Sequence, residues 1–265
     1  MATTKSLGQK DKLDKFYTKK EVASLCISQL NLDNYDVVIE PSAGSGNFSS
    51  QIEGCIAYDI APEHQDIIQQ DFLALEIDDN LRNKKVLVIG NPPFGVQNNL
   101  AIAFFNHSAK FADTIAFILP KSFRKQSVQN RLSLDFSLVM DMDIEDNSFQ
   151  LNNKDYNVPA IFQIWERVPR EKKDLLYEID GIKFVSPSEA DFRIQRVGGN
   201  AGKAFMNPGS KSSNYFIQNR SHLNNADLIR LINLVEYESR DNTVGPRSIS
   251  KPELLLKLKE ILENN

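Results

Sequence analysis

The sequence predicts an α/β fold built on a mostly parallel sheet with helices on both faces. Three observations lead there. Short, almost wholly apolar runs such as Asp36–Glu40 (DVVIE), Lys85–Gly90 (KVLVIG) and Thr114–Leu119 (TIAFIL) have the length and β-branched content of strands buried on both faces. Stretches of helical spacing alternate with them. Glycine or proline turns close the runs at their carboxyl ends.

In chain order, residues 1–14 are polar and read as a flexible N-terminus. Glu21–Leu30 sets Val22, Ala23, Cys26, Ile27 and Leu30 on one helical face. Asp36–Glu40 is a strand, followed by a glycine turn and a short helix, and Cys55–Asp59 (CIAYD) is the second strand. Lys85–Gly90 is the third, with a helix over Asn98–Lys110 behind it. Thr114–Leu119, closed by Pro120, is the fourth; Ser137–Met142 and Ala160–Trp165 (AIFQIW) are the fifth and sixth. The alternation ends near Arg170. Residues 181–220 are rich in Gly, Ser, Asn and basic residues, and amphipathic helices are expected at Leu228–Tyr237 and Pro252–Leu262. This divides the chain into a domain over 15–170 and a small C-terminal region over 171–265.

Composition narrows the class. The 265 residues are 41% hydrophobic and 25% charged, enough for one domain with a sizeable core plus a small appendage. No apolar run is long enough to span a bilayer, and the first residues lack the apolar core of a signal peptide. Cys26 and Cys55 sit in apolar contexts and read as buried free thiols in a reducing compartment. The expectation is an intracellular protein with no membrane partner, cytoplasmic, or nuclear in a eukaryote. Three scattered histidines and two cysteines make no metal-ligand cluster. The net charge of −4 does not by itself suggest a nucleic-acid partner. Charge is segregated, however: residues 1–170 carry 17 basic and 22 acidic side chains, whereas 183–220 carry six basic and two acidic ones.

Two motifs carry chemistry. The first, Glu40-Pro41-Ser42-Ala43-Gly44-Ser45-Gly46-Asn47-Phe48, follows a central strand at its carboxyl end, where open α/β sheets bind ligands, and its glycines let the backbone approach a ligand. A dinucleotide fold would have a third glycine where Ser49 stands. Asp59 ends the next strand, placed to accept hydrogen bonds from a ribose diol. Asp71-Phe72 pairs an acceptor with a ring and suits an adenine. A phosphate-cradling loop at Gly198–Ala204 is excluded, because Val197 and Ala204 replace the residues it needs.

The second motif, Asn91-Pro92-Pro93-Phe94, is the most specific signal in the chain. An exocyclic amine on a base is a poor nucleophile, its lone pair being delocalised into the ring. The Asn91 side-chain oxygen and the Pro92 carbonyl can accept its two N–H groups and aim the lone pair out of the plane. Neither proline presents a competing N–H, and a residue before proline is held extended. Phe94 offers a face on which an extruded base can rest. Asn91 also borders the cofactor side.

With both motifs in place, the sequence resembles the amino-methyltransferase superfamily, whose marks are the glycine loop and [DNS]-P-P-[FYW]. Within it, the chain is most similar to N6-adenine nucleic-acid methyltransferases that have an N-terminal cofactor motif and a C-terminal substrate-reading region. The resemblance covers residues 12–168. It implies a Rossmann-like class I methyltransferase sheet, mostly parallel with seven strands and one reversed, and a small C-terminal substrate-recognition extension. It also implies S-adenosylmethionine as cofactor, contacted by Phe16, Tyr17 and Thr18 at its methionine end, by Glu40–Ala43, Gly44, Gly46, Asn47 and Phe48 of the glycine loop, and by Asp59, Asp71 and Phe72. Lys121 falls in the motif Ile118–Phe123, and Phe149 in the late motif whose aromatic touches the target base.

The implied reaction is methylation of adenine N6 in nucleic acid with the base flipped, DNA ahead of RNA. RNA of cap or ribosomal type and protein glutamine stay open as alternatives, as does a homodimer or a specificity partner. The C-terminal region is short for a sequence-reading DNA domain. Its expected substrate contacts are Arg193, Arg196, Lys203 and Lys211 on phosphates, with Tyr215 and Phe216 stacking on bases.

Overall fold

The computed structural model describes residues 16–76, 79–81, 83–151, 154–243 and 245–265. The N-terminus expected to be flexible, with Lys15, lies outside them. The chain forms two compact units, one from residues up to Pro120 with Asn130–Lys172, the other from Lys121–Gln129 with Lys173–Asn265.

The first unit is a seven-stranded sheet. In chain order its strands are β1 (Val37–Glu40), β2 (Ile56–Asp59), β3 (Ile68–Gln69), β4 (Val86–Gly90), β5 (Thr114–Pro120), β6 (Ser137–Asp143) and β7 (Ala160–Glu166). Their spatial order is β3-β2-β1-β4-β5-β7-β6. β1 runs parallel to β2 and β4, and β4 parallel to β5, with Val38 opposite Leu87 and Val88 opposite Ile115. β7 is antiparallel to both neighbours. It is reversed because β6 is followed by a short hairpin, Phe149–Leu151 against Lys154–Tyr156, and not by a crossover helix. A central parallel sheet with its last strand reversed and inserted next to the edge is the Rossmann-like class I methyltransferase arrangement.

The apolar runs are strands because both their faces are covered. Every residue of β4 and β5 is buried. Val86, Leu87, Val88 and Ile89 each contribute up to about 2–3 kcal/mol by leaving water. Helix α1 (Lys20–Ile27) places Ala23 and Cys26 against Leu87, Ile89, Ile118 and Phe162. Helix α2 (Asn99–Ser108) covers the other face, with Phe105 edge-on to Trp165 at 5.4 Å. Cys55 is only partly buried, against the expectation for it.

The expected helix after the glycine turn is absent: residues 41–48 leave too little chain before β2, and only a 3₁₀ turn forms at Ser49–Gln51. The basic stretch 181–220, past the end of the alternation, is built into strands. In the second unit β8 (Ile182–Phe184), β9 (Phe192–Gln195), β10 (Ala204–Phe205) and β11 (Asn214–Asn219) form an antiparallel sheet in the order β8-β11-β9-β10. One face, with Ile182, Phe192, Ile194, Ala204 and Ile217, packs on α3 (Asn225–Ile232) and α4 (Lys251–Asn264) through Leu228, Ile232, Leu254 and Leu258.

Helix α3 starts earlier than its apolar period, because Asn224 caps it by accepting from the Asp227 N–H at 2.9 Å. It stops at Ile232, so Val235–Tyr237 are not helical. Helix α4 begins at a Ser250 cap with Pro252 in its first turn.

Candidate active site

Three loops at the carboxyl ends of β1, β2 and β4 enclose a cavity of about 330 Å³ in the first unit. Its walls bring together Phe16–Thr18, Glu40–Gly44, Asn47, Phe48, Asp59, Asp71, Phe72, Asn91–Phe94 and Phe149, which are the expected cofactor contacts other than Gly46, the tetrapeptide and the late aromatic, and none of the expected cations. Gly46 is not on the wall. It sits at φ +82° and closes the turn, its N–H donating to the Ala43 carbonyl at 2.7 Å.

The glycine loop is held by acids. Glu40 is 2% exposed and its Oε2 accepts from the Ser49 N–H at 2.8 Å. Burial, only partly offset by the bonds from Ser49, raises its carboxyl from 4.5 to about 7. Asp59 accepts from the Gly44 N–H through Oδ2 and from the Ala61 N–H through Oδ1, both at 2.8 Å. Each oxygen therefore meets a ligand with its remaining lone pair. Gly44 sits at φ +54° with the Tyr17 ring against it, and a Cβ there would stand 2.8 Å from Tyr17 Cε1. No other residue type fits that approach without strain.

Asp71 is partly engaged too, its Oδ1 capping the 3₁₀ turn Phe72–Ala74 through the Leu73 N–H at 3.0 Å. Phe72 serves both core and cavity: it stacks on Phe104 at 5.5 Å and meets the His107 ring edge at 5.0 Å. Burial holds that imidazole below its usual range.

The tetrapeptide leaves β4 at Gly90. Asn91 donates its Nδ2 to the Phe16 carbonyl at 3.0 Å, and its own carbonyl accepts from Ser42 Oγ at 3.0 Å. The amide is thereby oriented with Oδ1 as the outward acceptor. Among the described residues, neither Asn91 Oδ1 nor the Pro92 carbonyl has a hydrogen-bond partner. Phe94 packs partly on the core.

The N-terminal segment closes the cavity. Tyr17–Thr18 pairs antiparallel with Phe149–Leu151, Thr18 opposite Phe149. Asn47 Nδ2 donates to the Thr18 carbonyl at 2.7 Å, and Tyr17 Oη donates to Glu63 at 2.5 Å. Burial and the Glu63 carboxylate push the Tyr17 hydroxyl well above its usual range. Thr18 is 5% exposed, and its Oγ1 is buried without a partner. Phe149, 1% exposed, lines the cavity from the core.

The sequence reading missed Ser45, Ile60, Gln70, Leu73, Leu100, Phe104 and Val158 on the wall. Leu100 and Phe104 lie one helical turn apart just behind the tetrapeptide, a signal that could have found them; Val158 carried none.

The cations expected on substrate all belong to the second unit, and several have internal roles. Arg193 donates to the Asn207 carbonyl at 2.8 Å, to Asn207 Oδ1 at 3.0 Å and to Asn214 Oδ1 at 2.7 Å, over the Phe205 ring. Lys203 caps the Asn233 carbonyl past the end of α3, and Arg196 donates to the Ser212 carbonyl at 3.0 Å. Lys211 is exposed, and Lys121 opens a 3₁₀ turn ending at Arg124. Phe216 is buried and does not present a stacking face, whereas Tyr215 is half-buried, edge-on to Phe184 at 5.5 Å. Among the described residues no group of three His, Cys, Asp or Glu could hold a metal.

No family model and no curated protein matches the chain. Solved structures with similarity include PH1948 from Pyrococcus horikoshii, at 17% identity over 56% of this chain and 82% of that one, TM-score 0.41. A second is Thermoplasma acidophilum 1320, at 16% identity over 61% and 98%, TM-score 0.38. A third is magnesium protoporphyrin IX methyltransferase (ChlM) from Synechocystis PCC 6803 with bound SAM, at 15% identity over 56% and 76%, TM-score 0.34. Likeness at this level says nothing of the reaction.

Proposed function

We propose that the protein transfers a methyl group from S-adenosylmethionine to an exocyclic amine, adenine N6 of nucleic acid, with DNA the first substrate. The observation that supports this reading is the charge of the cavity beside its tetrapeptide wall. The charged residues described on the wall are Glu40, Asp59 and Asp71, with no Lys, Arg or His among them. A phosphate-bearing cofactor would meet only like charge there. A sulfonium nucleoside that is cationic overall meets opposite charge.

The residues present fit that group. Asp59 would take the ribose, Asp71 with Phe72 the adenine, and the unpartnered Thr18 hydroxyl the methionine end. When bound, it supplies a methyl group activated on a sulfonium. Asn91 Oδ1 and the Pro92 carbonyl accept the two N–H bonds of the target amine. Phe94 and Phe149 hold the base between aromatic faces. The surplus proton leaves to water along the hydrogen bond to the Pro92 carbonyl. Catalysis by this set is positioning, and the loop is already rigid, tied to Phe16 and Ser42. Lys211 and Arg196 of the second unit are the proposed phosphate contacts. Among the described residues no helix is long and apolar enough to cross a membrane.

The test is mass spectrometry of nucleosides from DNA and RNA treated with protein and isotopically labelled cofactor. N6-methyladenine in DNA supports the proposal. Label in RNA alone moves it to the RNA reading, and label in glutamine of a polypeptide with none in nucleic acid overturns it.

A further inference from the structure

The loop that follows the tetrapeptide is built unlike an ordinary turn. It leaves the cavity wall at Phe94 and returns to it at Leu100. In between, Gly95 (φ 67°), Gln97 (φ 53°) and Asn98 (φ 64°) all have positive φ, which glycine and asparagine adopt at little cost but which is strained for Gln97. Such strain persists only where surrounding structure enforces it, and it concentrates at functional segments. Here Arg131 enforces it: Nη1 donates to the Gln97 carbonyl at 3.2 Å and Nη2 to Asn99 Oδ1 at 2.6 Å. Arg131 is itself tied down, its carbonyl accepting from Asn106 Nδ2 at 3.0 Å. What the strained, clamped turn presents is Val96, 81% exposed. A β-branched apolar side chain held rigid in water stabilises nothing in the free protein. Residues 95–99 carry no charge, so nothing in the loop repels a phosphate backbone.

We propose that Val96 is a wedge that enters the base stack of a paired substrate as the target adenine is drawn out toward Asn91 and Phe94. This rests on the nucleic-acid reading of the cavity. Apolar side chains inserted between bases are a general means of opening a stack, and a preformed loop loses little freedom on doing so. The side chain sits two residues past Phe94, on the loop between the wall residues Phe94 and Leu100.

The experiment compares wild type, Val96→Ser and Val96→Ile on one adenine-containing oligonucleotide, presented single-stranded and fully paired, with cofactor affinity measured alongside. The expected result is a loss of tenfold or more for Val96→Ser on the paired strand, equivalent to about 1.4 kcal/mol. Methylation of the single strand and cofactor affinity stay within twofold, and Val96→Ile retains activity on both. A 2-aminopurine at the target position brightens in the duplex with wild type and not with Val96→Ser. Equal loss on both substrates, or no loss on either, overturns the wedge, as does a wild type that methylates only unpaired adenine. A wild type that methylates no adenine at all overturns the nucleic-acid reading, and the wedge with it.

Discussion

Replacing Glu40 with glutamine tests the electrostatics under the glycine loop. Glu40 ends β1 almost wholly buried, and its carboxyl is raised from 4.5 to about 7, first because burial penalises its charge. The folded chain therefore holds this proton more tightly than the unfolded chain. Its contribution to stability is fully present below pH 4.5 and is lost as pH rises through about 7. Each pH unit between those two values is worth about 1.4 kcal/mol, so ionisation costs the fold roughly 3 kcal/mol by pH 8. Glu40→Gln keeps an oxygen for the Ser49 N–H and cannot ionise. Urea denaturation of wild type and Glu40→Gln at pH 5 and pH 8 isolates the effect, because every other titration cancels in the difference. The variant should gain roughly 2–3 kcal/mol relative to wild type between the two pH values, since part of the cost is already present at pH 5. A difference that does not change with pH refutes the reasoning and places Glu40 in a wetter setting than its burial indicates.

The other predictions concern the cavity wall. Asn91→Ala should reduce methylation about 10²–10³-fold, the loss typical of one oriented hydrogen-bonding group, with a smaller loss of cofactor affinity in equilibrium dialysis because the Phe16 carbonyl loses its donor. Thr18→Val should act with opposite signs: deleting a buried, unpartnered hydroxyl raises the stability of the free protein by about 1 kcal/mol in thermal unfolding, while cofactor binding measured by calorimetry weakens. Gly44→Ala should cost about 1–2 kcal/mol of stability for the left-handed backbone alone, and it should push Tyr17 off the loop, seen as a weakened cofactor affinity.

The central sheet was legible because its strands are buried on both faces and say so in composition. Val86–Ile89 or Ile115–Leu119 admit little else. The second sheet was not. Phe192–Gln195 buries only alternate residues, β10 has two residues, and glycine and asparagine dominate the intervening chain, so the period was too short to stand out. The missing helix after the glycine turn was a matter of chain length, since the turn itself uses the residues a helix would need.

Within the site, the residues that follow strand ends were named correctly as neighbours, because strand order brings those ends together. Their hydrogen bonding was not written there. That Asp59 already serves two backbone N–H groups, or that Thr18 lies opposite Phe149, depends on register between distant segments, which no local pattern encodes.

The pairing of Tyr17–Thr18 with Phe149–Leu151 also bears on how the protein is made. The glycine loop and the tetrapeptide leave the ribosome well before the strand that completes their enclosure. At about 5–20 residues per second, the interval between Phe94 and Leu151 is roughly three to eleven seconds. Throughout it, the growing chain carries both motifs without the strand that pairs with Tyr17–Thr18. The complete cavity can form only once that second segment has been translated.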